Sequence, residues 1–237
     1  MSEPILEILL PVYNEATTIE ATILEIYKEL SLHVPLGFIV CEDGSTDGTG
    51  QVLRRLSGSV PIRLISGNNR KGYAQAVIGG MQALQAEYLL CLDGDGQCDP
   101  KDFWKFWEII DQYDAVVGWR THRKDDFWRR VCSRTFYTAY QVLYSVPLKD
   151  PSCPFILIHR EVVQRLIPQL GEMNQGLWWE FNARLHRRGF SLMEVPIEHR
   201  IRSNGTTRVY ALKKLPSIGL SHLSALLRIW RQTIPKS

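Results

Sequence analysis

The sequence predicts an α/β fold in which a mostly parallel sheet is covered by helices on both faces. Short apolar runs alternate along the chain with stretches whose apolar residues recur every three or four positions, and this alternation is typical of strands followed by amphipathic helices. A polar cluster follows the carboxyl end of three of these runs. In open α/β sheets that edge is where binding sites form.

The elements follow in order from this pattern. A helix carrying Ile19, Ile23 and Ile26 follows the first strand, and an amphipathic helix carrying Leu223 and Leu226 lies near the end of the chain. Strands are predicted at residues 5–12, 38–41, 62–65, 88–92 and 115–118. Further helices are predicted at residues 46–56, 70–84, 103–111 and 123–145.

Length and composition restrict the class of protein. A chain of 237 residues with 45% hydrophobic residues is long enough for one large α/β domain. The five cysteines form no CxxC pair, so neither a disulfide framework nor a zinc site is indicated, and a reducing compartment is expected. The first residues lack the features of a secretory signal, and we expect a cytoplasmic protein. No run reaches the roughly 18 apolar residues of a spanning helix.

The positive charge is concentrated at the end of the chain. The formal net charge is +3, and from Arg200 onward there are eight Lys or Arg and no Asp or Glu. Such a segment suits nucleic acid, an acidic partner or anionic lipid, and composition alone leaves these three open.

The sequence DGDGQ at residues 93–97 is a candidate metal site. Asp93 and Asp95 offer hard carboxylate oxygens that suit Mg²⁺ or Mn²⁺, and Gln97 adds a neutral oxygen. The alternative is an ordinary exposed turn. Because the chain has neither a GxGxxG after its first strand nor a Walker A sequence, a metal ion would have to neutralise any bound diphosphate.

Three motifs lie at the ends of predicted strands: PVYNE (11–15), EDGSTDGT (42–49) and DGDGQ (93–97). Together they resemble those of the family 2 glycosyltransferases of GT-A fold, which is Rossmann-like. The resemblance covers almost the whole chain. It implies that the base and ribose of a nucleotide diphosphate sugar are held by Pro11, Tyr13, Glu15 and Asp43. It also implies that Asp93 and Asp95 bind the metal ion and the diphosphate of that donor.

Two of these motif residues also have local structural interpretations. Glu15 is placed where it can cap the following helix, so its part in donor binding has a purely structural alternative. Asp47 is expected to stabilise its own turn and is left out of the site.

Within that family, the second half resembles the polyprenyl-phosphate sugar synthases, a group that includes dolichyl-phosphate mannose synthase. Gln97 resembles the third metal ligand of their Asp-x-Asp-x-Gln turn, and GWR (118–120) resembles their Gly-Ser-Arg. EVPI (194–197) and RSNGTTR (202–208) resemble their Glu-Val-Pro-Ile segment and the Arg-x-x-Gly-x-Ser-Lys that follows it. Trp119 in place of a small residue and Thr207-Arg208 in place of Ser-Lys depart from the pattern.

The resemblance implies a phosphate monoester acceptor, which is already largely anionic at neutral pH and needs positioning more than deprotonation. The residues expected to bind it are Arg120, Arg129, Ser133, Arg202 and Arg208. Asp95, Arg120 and Arg202 are the expected catalytic residues. The alternative is transfer to a hydroxyl of a saccharide, lipid or protein with Glu180 as base, although Glu180 can instead pair with Arg184 one helical turn later.

The leading hypothesis is an inverting, metal-dependent transferase that moves a hexose to a polyprenyl (dolichyl or undecaprenyl) phosphate. The alternative from another class is a protein that binds a nucleotide sugar without turning it over. We expect a catalytic domain at residues 1–210 and, at residues 211–237, a basic amphipathic helix that attaches the enzyme peripherally to the cytoplasmic face of a membrane. No nucleic-acid partner is expected, and a membrane partner protein is an alternative means of recruitment.

Overall fold

The computed structural model describes residues 3–67, 69–121, 127–200 and 215–233, and the side chains of residues 127–133 and 215–220 are outside that description. The strands are β1 (Leu6–Val12), β2 (Leu36–Glu42), β3 (Ile62–Ser66), β4 (Tyr88–Cys91), β5 (Ala115–Arg120), β6 (Ile156–His159) and β7 (Leu192–Ile197). The helices are α1 (Ile19–Leu30), α2 (Thr49–Leu56), α3 (Tyr73–Gln82), α4 (Phe103–Trp107), α5 (Phe127–Tyr144), α6 (Arg160–Leu166), α7 (Leu177–Arg187) and α8 (Leu215–Gln232).

The seven strands form a single sheet in the order β3-β2-β1-β4-β6-β5-β7. β1 pairs in parallel with both β2 and β4, β2 with β3, and β5 with β7. β6 runs antiparallel to its two neighbours, β4 and β5. The predicted α/β class with a mostly parallel sheet is therefore confirmed.

Helices cover both faces of the sheet. Along β1, Ile8 and Leu10 belong to the apolar cluster under α1, α2 and α4, whereas Leu9 belongs to the cluster under α3, α5, α6, α7 and α8. This is the alternation that a strand buried on both faces requires, since successive side chains point to opposite sides. All three side chains are fully buried.

Several predicted boundaries differ from the structure. α2 begins at Thr49 and not at residue 46, because the Asp47 carboxylate accepts a hydrogen bond from the Thr49 backbone N–H and holds the preceding residues as a turn. That turn is the role expected for Asp47. α4 is shorter than the helix predicted at residues 103–111, and a 3₁₀ turn lies on each side of it. β6 and β7 were not predicted as strands.

The predicted amphipathic C-terminal helix is confirmed as α8. It packs against α5 and α7 and buries Ala225, Leu226 and Ile229 in the same apolar cluster as the sheet. Leu223 and Leu227 stay 39% and 43% exposed. No helix within the described ranges is long and apolar enough to cross a membrane. The domain boundary at residue 210 stays a prediction.

The close packing of α3 on the sheet gives a stability test. A Cβ on Gly80 would lie 2.1 Å from Leu9 Cδ1 and 2.8 Å from Cys41 Sγ, whereas a Cβ on Gly79 would meet nothing within 4 Å. Gly80→Ala should therefore lower the free energy of unfolding by about 1–3 kcal/mol through overpacking. Gly79→Ala, on the same helix, should raise it by up to about 1 kcal/mol. Urea unfolding measures both, and equal effects would contradict this packing.

Candidate active site

The carboxyl ends of β1, β2 and β4 lie together at one edge of the sheet. The register pairs Val12 with Glu42 and Leu9 with Cys91, and the backbone N–H of Asp43 donates to the carbonyl of Val12 at 3.0 Å. A Cβ added to Gly94 would lie 3.2 Å from Val12 Cγ2, so the turn after β4 passes directly over the end of β1. All three sequence motifs therefore meet at this edge.

The loops after β1 and β2 are hydrogen-bonded to each other. The Asn14 N–H donates to Ser45 Oγ at 2.9 Å, and the Thr46 N–H donates back to Asn14 Oδ1 at 2.8 Å. The Glu15 N–H donates to Thr49 Oγ1 at 2.9 Å. Asn14 has a φ of 55°, in the left-handed region that Asn tolerates better than most residues. These contacts join the two loops into one unit.

Tyr13 and Asp43 face the loop that leads into α3. The guanidinium of Arg70 lies 3.9 Å from the centroid of the Tyr13 ring, and Arg70 Nε lies 3.9 Å from Asp43 Oδ2. The buried Asp43 carboxylate accepts hydrogen bonds from the backbone N–H groups of Lys71, at 2.6 Å, and Gly72, at 2.9 Å. Asp43 thus fixes the start of α3, a structural role that sequence reasoning missed.

Asp93 accepts a hydrogen bond from a tyrosine on α3. The hydroxyl of Tyr73 donates to Asp93 Oδ1 at 2.9 Å and accepts from Trp178 Nε1, also at 2.9 Å. Tyr73 as a whole is 40% exposed. Desolvation and then the charge of Asp93 raise the pKa of Tyr73 well above its usual range, so the hydroxyl keeps its proton.

The turn at residues 93–97 has a donor set that fits a hard divalent cation. Asp93, Asp95 and Gln97 are all half-buried. The Gln97 side-chain amide donates to the Arg200 carbonyl at 3.1 Å, which orients that amide. No group of three His, Cys, Asp or Glu ligands occurs in the part of the chain that the structure describes. Two carboxylates and one amide oxygen suit Mg²⁺ or Mn²⁺ whose remaining ligands come from a substrate.

Cys98, next to this turn, is not an activated thiol. Burial, then Cys153 and the carboxylates of Asp93 and Asp95, raises the pKa of Cys98 well above its usual range. A raised pKa lowers the fraction of thiolate, which is the nucleophilic form of cysteine.

Arg120, at the end of β5, is clamped by the loop before β6. Its Nε and one terminal nitrogen donate to the two oxygens of Asp150, at 2.7 and 2.9 Å, and that nitrogen also donates to Ser152 Oγ at 2.8 Å. Glu194 Oε1 accepts from the backbone N–H groups of Lys149 and Asp150 and so holds the loop in place. Sequence analysis did not predict this partner of Arg120.

The other predicted acceptor-binding residues are not placed by the structure. Arg202 and Arg208 lie outside the described residues. Arg129 and Ser133 lie on α5, in the stretch whose side chains are not described.

The assignment of Glu180 as the base of the alternative mechanism is wrong. Its side chain is fully buried, so it cannot reach an acceptor hydroxyl. Its Oε1 accepts from Arg184 Nε at 2.9 Å, and its Oε2 accepts from the N–H groups of Gly171 and Met173 at 3.2 and 2.9 Å. Arg184 is also buried and donates to Gln232 on α8 at 2.8 Å. The predicted pairing of Glu180 with Arg184 is confirmed. The pair connects α7 to α8 and to the loop that contains Gly171 and Met173.

Comparison with known proteins gives a family match. The family model described as "Glycosyl transferase family 2" matches residues 7–167. The chain is 29% identical over 236 residues to "Glycosyltransferase AglD" of Haloferax volcanii, covering 95% of this chain and 37% of that protein. It is 27% identical over 186 residues to "Dolichyl-phosphate beta-glucosyltransferase" of Dictyostelium discoideum, covering 70% and 57%.

A third relative and a solved structure extend the comparison. "Dodecaprenyl-phosphate galacturonate synthase" of Rhizobium johnstonii is 25% identical over 229 residues, covering 93% of this chain and 66% of that protein. The chain thus spans between 37% and 66% of the length of these three relatives. Glucosyl-3-phosphoglycerate synthase from Mycobacterium tuberculosis superposes with a TM-score of 0.74 at 19% identity, covering 99% of this chain and 81% of that one. This likeness confirms the GT-A fold.

The buried Glu180–Arg184 pair gives a prediction. Glu180→Gln removes the charge that compensates buried Arg184, so the free energy of unfolding should fall by roughly 3–5 kcal/mol. Glu172→Gln is the matched control, because Glu172 pairs with the half-exposed Arg228 at 3.0 Å, and its loss should cost less than about 1 kcal/mol. Denaturant unfolding compares the two. An unchanged stability in Glu180→Gln would mean that this carboxylate is accessible after all.

Proposed function

Because this chain belongs to glycosyl transferase family 2, we propose that it moves a hexose from a nucleotide diphosphate sugar to a polyprenyl phosphate, with inversion at the anomeric carbon. The observation that carries the proposal is the meeting of Asp93 and Asp95 with the loops after β1 and β2 at one edge of the sheet. The names of two relatives, a dolichyl-phosphate glucosyltransferase and a dodecaprenyl-phosphate galacturonate synthase, support the acceptor class.

On the donor side, we assign the base and ribose to Pro11, Tyr13, Glu15 and Asp43. The hydrogen bonds between the loops after β1 and β2 support this assignment, because they hold the binding groups before substrate arrives. A preformed pocket spends less binding energy on ordering its own loops. Glu15 also accepts from the Thr18 hydroxyl at 2.8 Å, which fixes the orientation of its carboxylate.

Asp93, Asp95 and Gln97 would hold the metal ion, which is Mg²⁺ or Mn²⁺. When bound, the ion supplies charge neutralisation for the departing diphosphate. Manganese accompanies the sugar nucleotide in the solved glucosyl-3-phosphoglycerate synthase, which shares the fold. The residues themselves contribute two negative charges in a half-buried turn, and this favours a cation at that position.

On the acceptor side, a phosphate oxygen attacks the anomeric carbon as the bond from that carbon to the donor diphosphate breaks. The phosphate carries most of its charge at neutral pH, so the protein has only to orient it. Arg120 is suited to this task because Asp150 and Ser152 hold its guanidinium rigidly. We assign the remaining phosphate contacts to Arg129, Ser133, Arg202 and Arg208, with Asp95, Arg120 and Arg202 as the catalytic residues.

We further propose that α8 attaches the enzyme peripherally to the cytoplasmic face of a membrane. The helix has no acidic residue, and it exposes Leu223 and Leu227 together with Arg228 and Arg231. An apolar strip flanked by basic side chains is the pattern that binds an interface with anionic lipid. Its other side is docked on the domain, so attachment at this position holds the domain against the membrane. Recruitment by a membrane partner protein is the alternative.

Transfer itself tests the proposed function. Wild-type protein incubated with Mn²⁺, undecaprenyl phosphate and a panel of uridine and guanosine diphosphate hexoses should give a hexosyl lipid phosphate by mass spectrometry. Asp95→Asn should lower the rate by about 100-fold or more, because it removes charge stabilisation from the leaving group. Asp111→Asn, whose carboxylate accepts a hydrogen bond from the Tyr88 hydroxyl and lies outside the site, should retain activity. Wild-type turnover by Asp95→Asn at limiting Mn²⁺ would refute the site.

Vesicle flotation tests the membrane attachment. Binding should require anionic lipid and weaken with salt, since each basic residue contributes about 1 kcal/mol near such a surface. Arg228→Glu with Arg231→Glu should abolish it. Arg54→Glu with Arg55→Glu makes the same change of charge on α2, on the opposite face of the sheet, and should leave binding unchanged. Indifference to lipid charge, salt and the α8 substitutions would identify α8 as a docked element only.

A further inference from the structure

We propose that Tyr73 and Trp178 are positioning residues for Asp93, an inference that rests on the proposed function. They come from two helices that are far apart in sequence and meet at the turn after β4. Trp178 lies on α7, and Tyr73 is the first residue of α3. A chain of two hydrogen bonds runs from Trp178 through Tyr73 to Asp93, and each bond is 2.9 Å long.

The chemistry of the three groups gives this chain of hydrogen bonds one direction. An indole N–H is a donor only, so the Tyr73 oxygen must accept from Trp178. The hydroxyl proton of Tyr73 is therefore directed to its other neighbour, the carboxylate of Asp93. With the indole N–H in place, Tyr73 is a committed donor to Asp93.

Trp178 is itself held in a rigid setting. Its side chain is buried and packs edge-on against Phe181, with the ring centroids 5.6 Å apart. The backbone of α7 is fixed next to it, because the carbonyl of Trp179 accepts from the Tyr140 hydroxyl at 3.1 Å. One turn further on, Asn182 donates to the carbonyl of Pro151 at 2.9 Å. Trp178, the first donor in this chain of hydrogen bonds, thus lies on a helix that is anchored to α5 and to the loop before β6.

Tyr73, the middle member of this chain of hydrogen bonds, is also held through the residue that precedes it. Gly72, which precedes Tyr73, donates its N–H to the buried Asp43 carboxylate. Tyr73 is therefore constrained by β2 through Asp43 and by α7 through Trp178. A hydroxyl held in this way can restrict rotation of the Asp93 carboxylate, since one of its oxygens is tied to a fixed donor.

The expected consequence is a carboxylate oriented before the metal ion arrives. Hydrogen-bond partners of metal ligands typically change metal affinity or activity by 10- to 100-fold when they are removed. Tyr73→Phe deletes the hydroxyl and keeps the ring, and because the residue is 40% exposed and not part of the buried core, the substitution leaves the core unchanged. Its effect should appear in metal binding.

The experiment measures binding of Mn²⁺ alone to the full chain by water-proton relaxation. Tyr73→Phe should raise the Kd for Mn²⁺ about tenfold. Trp178→Phe should raise it by a smaller factor, and adding it to Tyr73→Phe should give no further loss, because Trp178 acts through Tyr73. Tyr88→Phe is the matched control: it breaks a 3.1 Å hydrogen bond from a tyrosine to Asp111 at the opposite end of β4 and should leave the Kd unchanged.

Asp95→Asn separates failure of this inference from failure of the proposed function. If Asp95→Asn loses Mn²⁺ binding and Tyr73→Phe stays within twofold of wild type, the positioning role is overturned and the metal site stands. If Asp95→Asn also binds Mn²⁺ as wild type does, the proposed metal site is wrong and the positioning role falls with it. A further loss on adding Trp178→Phe to Tyr73→Phe would overturn the assignment of Trp178.

Discussion

The parallel pairing of β1 with both of its neighbours is the constraint on which the candidate site depends. Because β1, β2 and β4 run in one direction and in the observed registers, their carboxyl ends meet at a single edge of the sheet. The polar segments after these strands are thereby brought together although 31 residues separate Asn14 from its partner Ser45. Reversal or slippage of any of the three strands would separate the carboxylates from the donor loops.

Rigid supports then fix individual side chains at that edge. α7 contributes to two of them: Trp178 reaches Tyr73 and through it Asp93, and Asn182 bonds to the carbonyl of Pro151, next to the Asp150 that clamps Arg120. The buried Glu180–Arg184 pair belongs to the same helix and ties it to α8. The proposed donor and acceptor sides of the site therefore share one structural element, which suits a reaction that needs both substrates held in line.

Local patterns predicted the first five strands and the motifs that follow β1, β2 and β4, since apolar runs and turn residues carry that information within a few positions. β6 was not predicted, because four residues after Cys153-Pro154 give little periodicity and its antiparallel direction depends on long-range pairing. The Tyr73–Trp178 contact spans 105 residues and leaves no local signal. Glu180 showed the same limit: its sequence position suggested a base, and only the fold reveals that it is buried.

An anomalous difference map from crystals soaked with Mn²⁺ and a nucleoside diphosphate would test the central claim most directly. The account predicts one Mn²⁺ peak at the turn of residues 93–97, within about 2.0–2.3 Å of a carboxylate oxygen of Asp95 or Asp93. Oxygens of the diphosphate should complete its coordination, and the base should lie toward Tyr13 and Asp43. A diphosphate bound away from this edge, or a Mn²⁺ peak that touches neither aspartate, would contradict the account.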